Sequence, residues 1–482
     1  MLSSKSEPAV GAWEGVFAGA VGLWLALALI KFGNPIILDQ QIHAPGNLDE
    51  LLINSWPVAW GYALLAPIFI FGCKFWRWRV PVPMWLLVVP LVWLVWQFVS
   101  ATQTVDRALT VATLPHFVAC VGAFYLGLFA LARVTRLGPF WLGLVGGFAV
   151  VLIMGWKQHF GGLEETRRFF YSLPDWQSYP PEFLKKVSSN RIYSTLFYPN
   201  ALAGVILLLL PASLSIVWHA TRGEREQGRE GARGKGSGGA AEAVSGNKGQ
   251  FSLSPFRPLS PAHLLVGIIG VLGLSCLYWS GSKSGWLIAM VQGALVLLRS
   301  PIRTRSKVIL LTTALSLGLG LFWFNYQDYF GRGATSVAAR FDYWRAAQQT
   351  MATQPILGSG PGTFMVSYKR LKPPEAEMAR LAHNDFLQQG SDSGWPGLLA
   401  YAAWVLGAIT VAALARAWWS CPQCPAPSCD GGYASVWLGL TGMTLQSFVE
   451  FGLYIPALAW PFFLLLGLLL GQNQGIGSTN RR

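Results

Sequence analysis

An all-α, polytopic membrane protein is the fold class this chain predicts, on three observations. Hydrophobic residues make up 53% of its 482 positions and charged residues only 12%, and the mean hydropathy is +0.41. Uncharged apolar runs long enough to cross a bilayer recur from end to end. Only helices and closed barrels satisfy their backbone in lipid, and runs of this length are helical.

About twelve runs qualify: 12–32, 57–73, 82–100, 110–132, 138–156, 199–218, 262–279, 284–298, 308–325, 395–415, 434–450 and 455–472. The first lacks a small-residue cleavage site and is long enough to span, so it reads as a start-transfer helix that stays in the protein. Pro57, Pro199 and Pro261 precede or open their runs, where a missing N–H costs nothing.

Lys and Arg in the short loops set the orientation. Lys74, Arg77 and Arg79, then Arg133 and Arg136, the stretch 219–261, Arg299 to Lys307, Arg416 and Arg481-Arg482 fall on one side. The alternate loops are poor in them: 33–56 has none and 101–109 only Arg107. The expected topology is therefore N-in and C-in. The net charge of +14 then reflects insertion and contact with anionic membrane lipid rather than nucleic acid.

Three segments break the rhythm and divide the chain. Residues 219–261 are rich in Gly, Ser, Ala, Arg and Glu, a composition that cannot bury a core, and read as a disordered basic cytoplasmic linker. It separates an N-terminal transmembrane half, 1–218, from a C-terminal half, 262–472, followed by a cytoplasmic tail, 473–482. The outer segments 157–198 and 326–394 carry aromatics, Pro and mixed charge and are expected to be ordered. Cys73, Cys120 and Cys276 read as packing residues at membrane depth. Cys421, Cys424 and Cys429 form a CxxC plus a third thiol; with Asp430 they make only a weak metal pattern, and the spacing reads as a Pro-punctuated turn with no metal.

Four groups that lipid should exclude, Arg191, Lys283, His383 and Glu450, lie beside apolar runs on one predicted face, which defines a site hypothesis. Arg191 either snorkels to the interface or aims a planar fork at a pair of phosphate oxygens, with Asn200 nearby. Lys283, in Trp279-Ser-Gly-Ser-Lys-Ser-Gly-Trp286, is either an anion seat at a helix N-terminus or a solvated lysine in a hairpin. His383 is either a satisfied hydrogen-bonding residue or a general base oriented by Asp385 or Asn384. Glu450 is a counter-ion for one of the cations or an interfacial carboxylate. Phe341, Trp344, Ala347 and Met351 recur at helical spacing, as in a helix lying on the membrane. The glycines of Gly358-Ser-Gly360-Pro-Gly362 mark a turn with unusual backbone angles; no strand precedes them, so a nucleotide loop is disfavoured.

In order and spacing, several motifs resemble the O-antigen ligase and polymerase superfamily. These are Arg191 with Pro199-Asn200-Ala-Leu-Ala, Ser282-Lys-Ser-Gly-Trp, Arg340-Phe-Asp-Tyr-Trp344-Arg with Pro355-Ile-Leu-Gly-Ser-Gly-Pro-Gly-Thr-Phe364, His383-Asn-Asp-Phe-Leu-Gln, and Glu450-Phe-Gly-Leu-Tyr-Ile-Pro. The resemblance runs over roughly 85–472. It implies a GT-C-like glycosyltransferase of the bacterial inner membrane. Such an enzyme moves a glycan from an undecaprenyl diphosphate carrier to an acceptor glycolipid (lipid A core), a growing polysaccharide or a protein, at the periplasmic face and without metal, cofactor or nucleotide sugar. It further implies that Arg191, Lys283, Arg340 and Arg345 hold the donor diphosphate and that His383 is the acceptor's base, with Asn200, Asn384, Asp385 and Glu450 in support. The family usually has Arg where this chain has Lys283, which keeps the charge and loses the fork. Twelve spans around a basic linker also describe a secondary transporter of a small solute such as bicarbonate or a sugar, built from two six-helix halves. Against it, no paired Gly/Pro-broken spans or mid-span charges stand in matching places.

Overall fold

A computed structural model describes residues 7–78, 80, 82–179, 184, 187–235, 261–331, 335–417 and 427–472. Among them the helices are α1 (Glu7–Lys31), α2 (Leu48–Ile53), α3 (Val58–Gly72), α4 (Met84–Ala101), α5 (Arg107–Tyr125), α6 (Gly138–Lys157), α7 (Leu163–Tyr171) and α8 (Pro199–Lys235). They continue with α9 (Pro261–Trp279), α10 (Lys283–Arg299), α11 (Thr304–Gly331), α12 (Thr335–Thr353), α13 (Phe364–Leu371), α14 (Asp385–Ala417), α15 (Pro427–Gln446) and α16 (Pro456–Gly471). No strand occurs among the described residues.

Each of the twelve apolar runs falls on one of these helices. Among the described residues eight helices are long and apolar enough to cross a membrane, and 263–279 and 456–471 are shorter apolar helices. The chain is thus an all-α polytopic membrane protein. Starts follow local chemistry: Asp106 caps α5 through Leu109 N, Ser282 caps α10 through Gly285 N, and Asn384 caps α14 through Leu387 N.

The centre of the bundle is α16, every residue of which is buried. It packs against α5 and α1, and the crossing with α5 is close: a Cβ on Gly467 would meet the Phe124 carbonyl oxygen at 2.0 Å. With no hydrophobic drive between helices in lipid, small residues that let backbones touch supply the packing. Around this core α1 lies on α6, α8 on α9 and α15, and α4 on α14. By contrast α11 sits at the edge, with none of its apolar window buried.

Three expectations need correction. The linker does not begin at 219: α8 continues to Lys235. Residues 236–260, 418–426 (with Cys421 and Cys424) and 473–482 lie outside the described residues, as does the Cys429 side chain. The expected stripe of Phe341, Trp344, Ala347 and Met351 on the helix at 335–353 does not face one environment: Ala347 and Met351 are buried, Trp344 is half-buried and Phe341 is exposed. Its buried stripe is Tyr343, Ala346, Ala347, Thr350 and Met351, along which α12 packs on α14. Helix α14 starts ten residues before the expected 395 and breaks at Ser393–Gly394, where Gly394 has φ 69°.

Candidate functional site

Six helix ends meet at one end of the bundle: the starts of α8, α10, α14 and α16 and the ends of α9 and α15. Residues 189–198 run into this junction and deliver Arg191, while α12 delivers Arg340 from above. The Ile192 N–H donates to the Trp279 carbonyl, tying the Arg191 segment to the end of α9. Gly281, with φ 60°, turns the chain between α9 and α10 directly against the Arg191 side chain.

Glu450, 5% exposed, is the hub. Its Oε1 accepts from Asn200 Nδ2 at 2.6 Å and pairs with Arg340 Nη2, while Oε2 lies 3.1 Å from His383 Nδ1. Asn200 passes the chain onward: its Oδ1 accepts from Arg191 Nη2 at 2.7 Å, and its carbonyl accepts from Gln446 Nε2 at 2.7 Å. Arg191 Nε donates to the Ser280 carbonyl at 2.7 Å. Arg191, Asn200, Glu450, Arg340 and His383 therefore form one hydrogen-bonded line drawn from both halves of the chain.

Lys283 opens α10 just before the apolar stretch 284–298, with its Nζ 4.9 Å from the centroid of Tyr326. Burial, and then the Arg191 and Arg340 guanidinium groups, push its ammonium down to about 8. Burial also lowers the pKa of Arg191, with Glu450 opposing. Two guanidinium groups and the Lys283 ammonium thus gather along the line that Glu450 anchors, an arrangement suited to an anionic ligand.

His383 takes a left-handed backbone, φ 50°, uncommon for a residue with a side chain. Its ring stands between Tyr343, at 5.6 Å and 28°, and Phe451, at 4.7 Å and 82°. At 27% side-chain exposure it remains open to solvent on one side. A small cleft beside it is lined by Asn200, Gln446, Glu450, Phe451 and Gly452.

Other expected site residues sit elsewhere. Arg345 points to the surface and pairs with Asp342 at 3.4 Å. Asn384 caps α14, and Asp385 turns away from His383: its Oδ2 accepts from Leu453 N at 3.0 Å and its own N–H donates to the Ser447 carbonyl at 2.8 Å. Glu450, rather than either neighbour in sequence, meets the imidazole.

The glycine-rich loop supports the floor of the site. Gly358, Gly360 and Gly362 have φ of 63°, 107° and 78°. The amides of Ser359, Gly360 and Gly362 donate to the Ser391 carbonyl, the Asp392 carbonyl and Asp392 Oδ2, so they are used within the protein. Asp392 Oδ2 also accepts from Gln388 Nε2 and Tyr454 OH, and Gln389 joins Tyr454 OH to Trp93 Nε1. This buried polar layer was not singled out from sequence; Gln97, Asp392 and Tyr454 within apolar surroundings were the signal. No group of three or more His, Cys, Asp or Glu placed to hold a metal occurs among the described residues.

Fold and site together define a polytopic helical membrane protein with a cation-rich hydrogen-bonded cluster at one end of its bundle. Residues 268–402 match the family model described as O-antigen ligase, consistent with the O-antigen ligase and polymerase superfamily. The match takes in Lys283, Arg340 and His383, and supports a bacterial membrane enzyme of the O-antigen ligase type. No curated protein matches the chain.

Proposed function

We propose that the protein is a glycosyltransferase of the bacterial inner membrane that moves a glycan from an undecaprenyl diphosphate-linked donor to an acceptor hydroxyl at the periplasmic face. The observation that carries this reading is the line from His383 through Glu450 and Asn200 to Arg191, with Arg340 on the same carboxylate and Lys283 beside it. A base and a set of fixed cations a few ångströms apart are what an in-line displacement on a sugar diphosphate requires.

The tautomer follows from the geometry. A carboxylate can only accept, so Nδ1 of neutral His383 carries the proton toward Glu450 and the Nε2 lone pair is left for the substrate. The acceptor hydroxyl oxygen then bonds to the anomeric carbon, its proton passes to Nε2, and the bond from that carbon to the diphosphate oxygen breaks. Arg191, Lys283 and Arg340 hold the departing charge, and a single displacement inverts the anomeric centre. Glu450 stabilises the imidazolium formed in the step, as a buried carboxylate does in hydrolytic triads. The acceptor class is lipid A core, growing polysaccharide or protein.

The test is transfer from purified lipid-linked oligosaccharide to candidate acceptors by the full-length protein in nanodiscs, with chelator present. Acceptor-dependent release of undecaprenyl diphosphate supports the reading. Uptake of a small solute into proteoliposomes, with no glycan transfer from any of the three acceptor classes, overturns it.

A further inference from the structure

The site residues do not account for His116. It lies midway along α5, is fully buried, and stands among Phe117, Cys120 and Trp460. An imidazole at this depth in an apolar run costs free energy that a leucine would not, so its polar atoms call for an explanation. Its Nε2 is 2.7 Å from the Leu453 carbonyl oxygen, whereas Nδ1 has no partner. Since a carbonyl only accepts, Nε2 carries the hydrogen.

Leu453 belongs to the short connection between α15 and α16 that carries Glu450. Its N–H donates to Asp385 Oδ2 at 3.0 Å, and at the connection's other end the Ser447 carbonyl accepts from the Asp385 N–H. Residue 453 is therefore gripped from two helices, through its N–H by α14 and through its carbonyl by α5. Glu450 sits between these anchor points and must present one oxygen to His383 and the other to Arg340 and Asn200.

We propose that His116 is a positioning residue for Glu450, acting through the Leu453 carbonyl to fix the connection that aims the carboxylate at His383. It touches no substrate. The proposal rests on the transferase reading for its kinetic consequence, although the clamp itself is independent of it. Supporting groups of this kind typically affect activity by about 10- to 100-fold.

The experiment uses the full-length protein in nanodiscs with His116→Leu, His116→Gln and His116→Asn. Glutamine places its amide nitrogen near the position of Nε2, and asparagine is too short to reach. The expectation is a kcat lowered about 10- to 100-fold in His116→Leu and His116→Asn with donor KM nearly unchanged, and recovery to within about fivefold of wild type in His116→Gln. In a Glu450→Gln background His116→Leu should add little further loss, because both act on the same carboxylate. Independently of catalysis, deuterium uptake of peptides covering 447–455 should rise in the leucine and asparagine variants and not in His116→Gln. Full additivity with Glu450→Gln, equal behaviour of the asparagine and glutamine variants, or unchanged uptake over 447–455 would overturn the assignment. Should wild type transfer no glycan, the functional reading fails and the exchange comparison alone decides the clamp. Should His116→Leu not insert, the polar asparagine and glutamine pair decides.

Discussion

Replacing Glu450 by Gln is the sharpest perturbation of the site, because the amide keeps the shape and loses the chemistry. The carboxylate offers two acceptor oxygens to three donors: His383 Nδ1 on one side, Arg340 Nη2 and Asn200 Nδ2 on the other. An amide has one acceptor oxygen, so neither of its orientations serves. With its oxygen toward Arg340 and Asn200, its NH2 faces Nδ1, which must then accept; the ring proton moves to Nε2 and the base is lost. With its oxygen toward His383, its NH2 opposes a guanidinium and an amide NH2. The equivalent change in a serine-protease triad costs about 10⁴ in kcat, and a positioned base is worth roughly 10²- to 10⁴-fold. The expected loss here is therefore about 10²- to 10⁴-fold in kcat, or roughly 3–5 kcal/mol of transition-state stabilisation. Donor KM should not rise, since three cations remain and one negative charge is gone. Steady-state transfer in nanodiscs, on protein shown to be monodisperse, measures both quantities. A kcat within threefold of wild type, or a loss carried wholly by KM, refutes the assignment of Glu450 as partner of the base.

Further outcomes follow from the same geometry. Arg191→Lys keeps the charge but cannot reach both Ser280 and Asn200 as the guanidinium does, so donor KM should rise about tenfold or more in the same assay. Lys283 carries an ammonium lowered to about 8, so it is charged below that pH and loses its proton as pH rises through it. Donor KM in wild type should climb between pH 7 and 9, whereas Lys283→Arg should be active with a flat profile over that range; the same climb in both would exclude Lys283 as the titrating group. In a cysteine-free background, thiols at Gly161 and Glu375 should react with an impermeant reagent in spheroplasts and one at Gly238 should not. Labelling of position 238 from outside would place the site on the other face.

The helical fold was legible because its signal is long and repetitive: each apolar run became a helix, and Asp106, Ser282 and Asn384 mark where helices start. Boundaries were less legible where polar sequence continues a helix. Residues from 219 onward read as linker, yet α8 keeps its helical geometry to Lys235. Likewise 385–392 read as outer loop because Asp385, Gln388, Gln389 and Asp392 are polar, although all four are fully buried, and Asp385, Gln389 and Asp392 bond to partners distant in sequence.

At the site, the types of residue were legible and their pairing was not. Sequence neighbours offered Asp385 and Asn384 for His383, but the left-handed backbone at 383 swings the ring toward a carboxylate 67 residues away. Arg340 and Arg345, five positions apart on α12, fall on different faces of the helix, so one reaches Glu450 and the other Asp342. His116 carried a signal of its own, a titratable group inside an apolar run, that only the tertiary contact with Leu453 interprets.

The measurement that tests the central claim most directly compares wild type with His383→Ala for donor binding and transfer under identical conditions in nanodiscs. If His383 is the acceptor's base, the variant binds lipid-linked donor within about threefold of wild type and transfers glycan about 10²- to 10⁴-fold more slowly. Full transfer activity in His383→Ala would contradict the account.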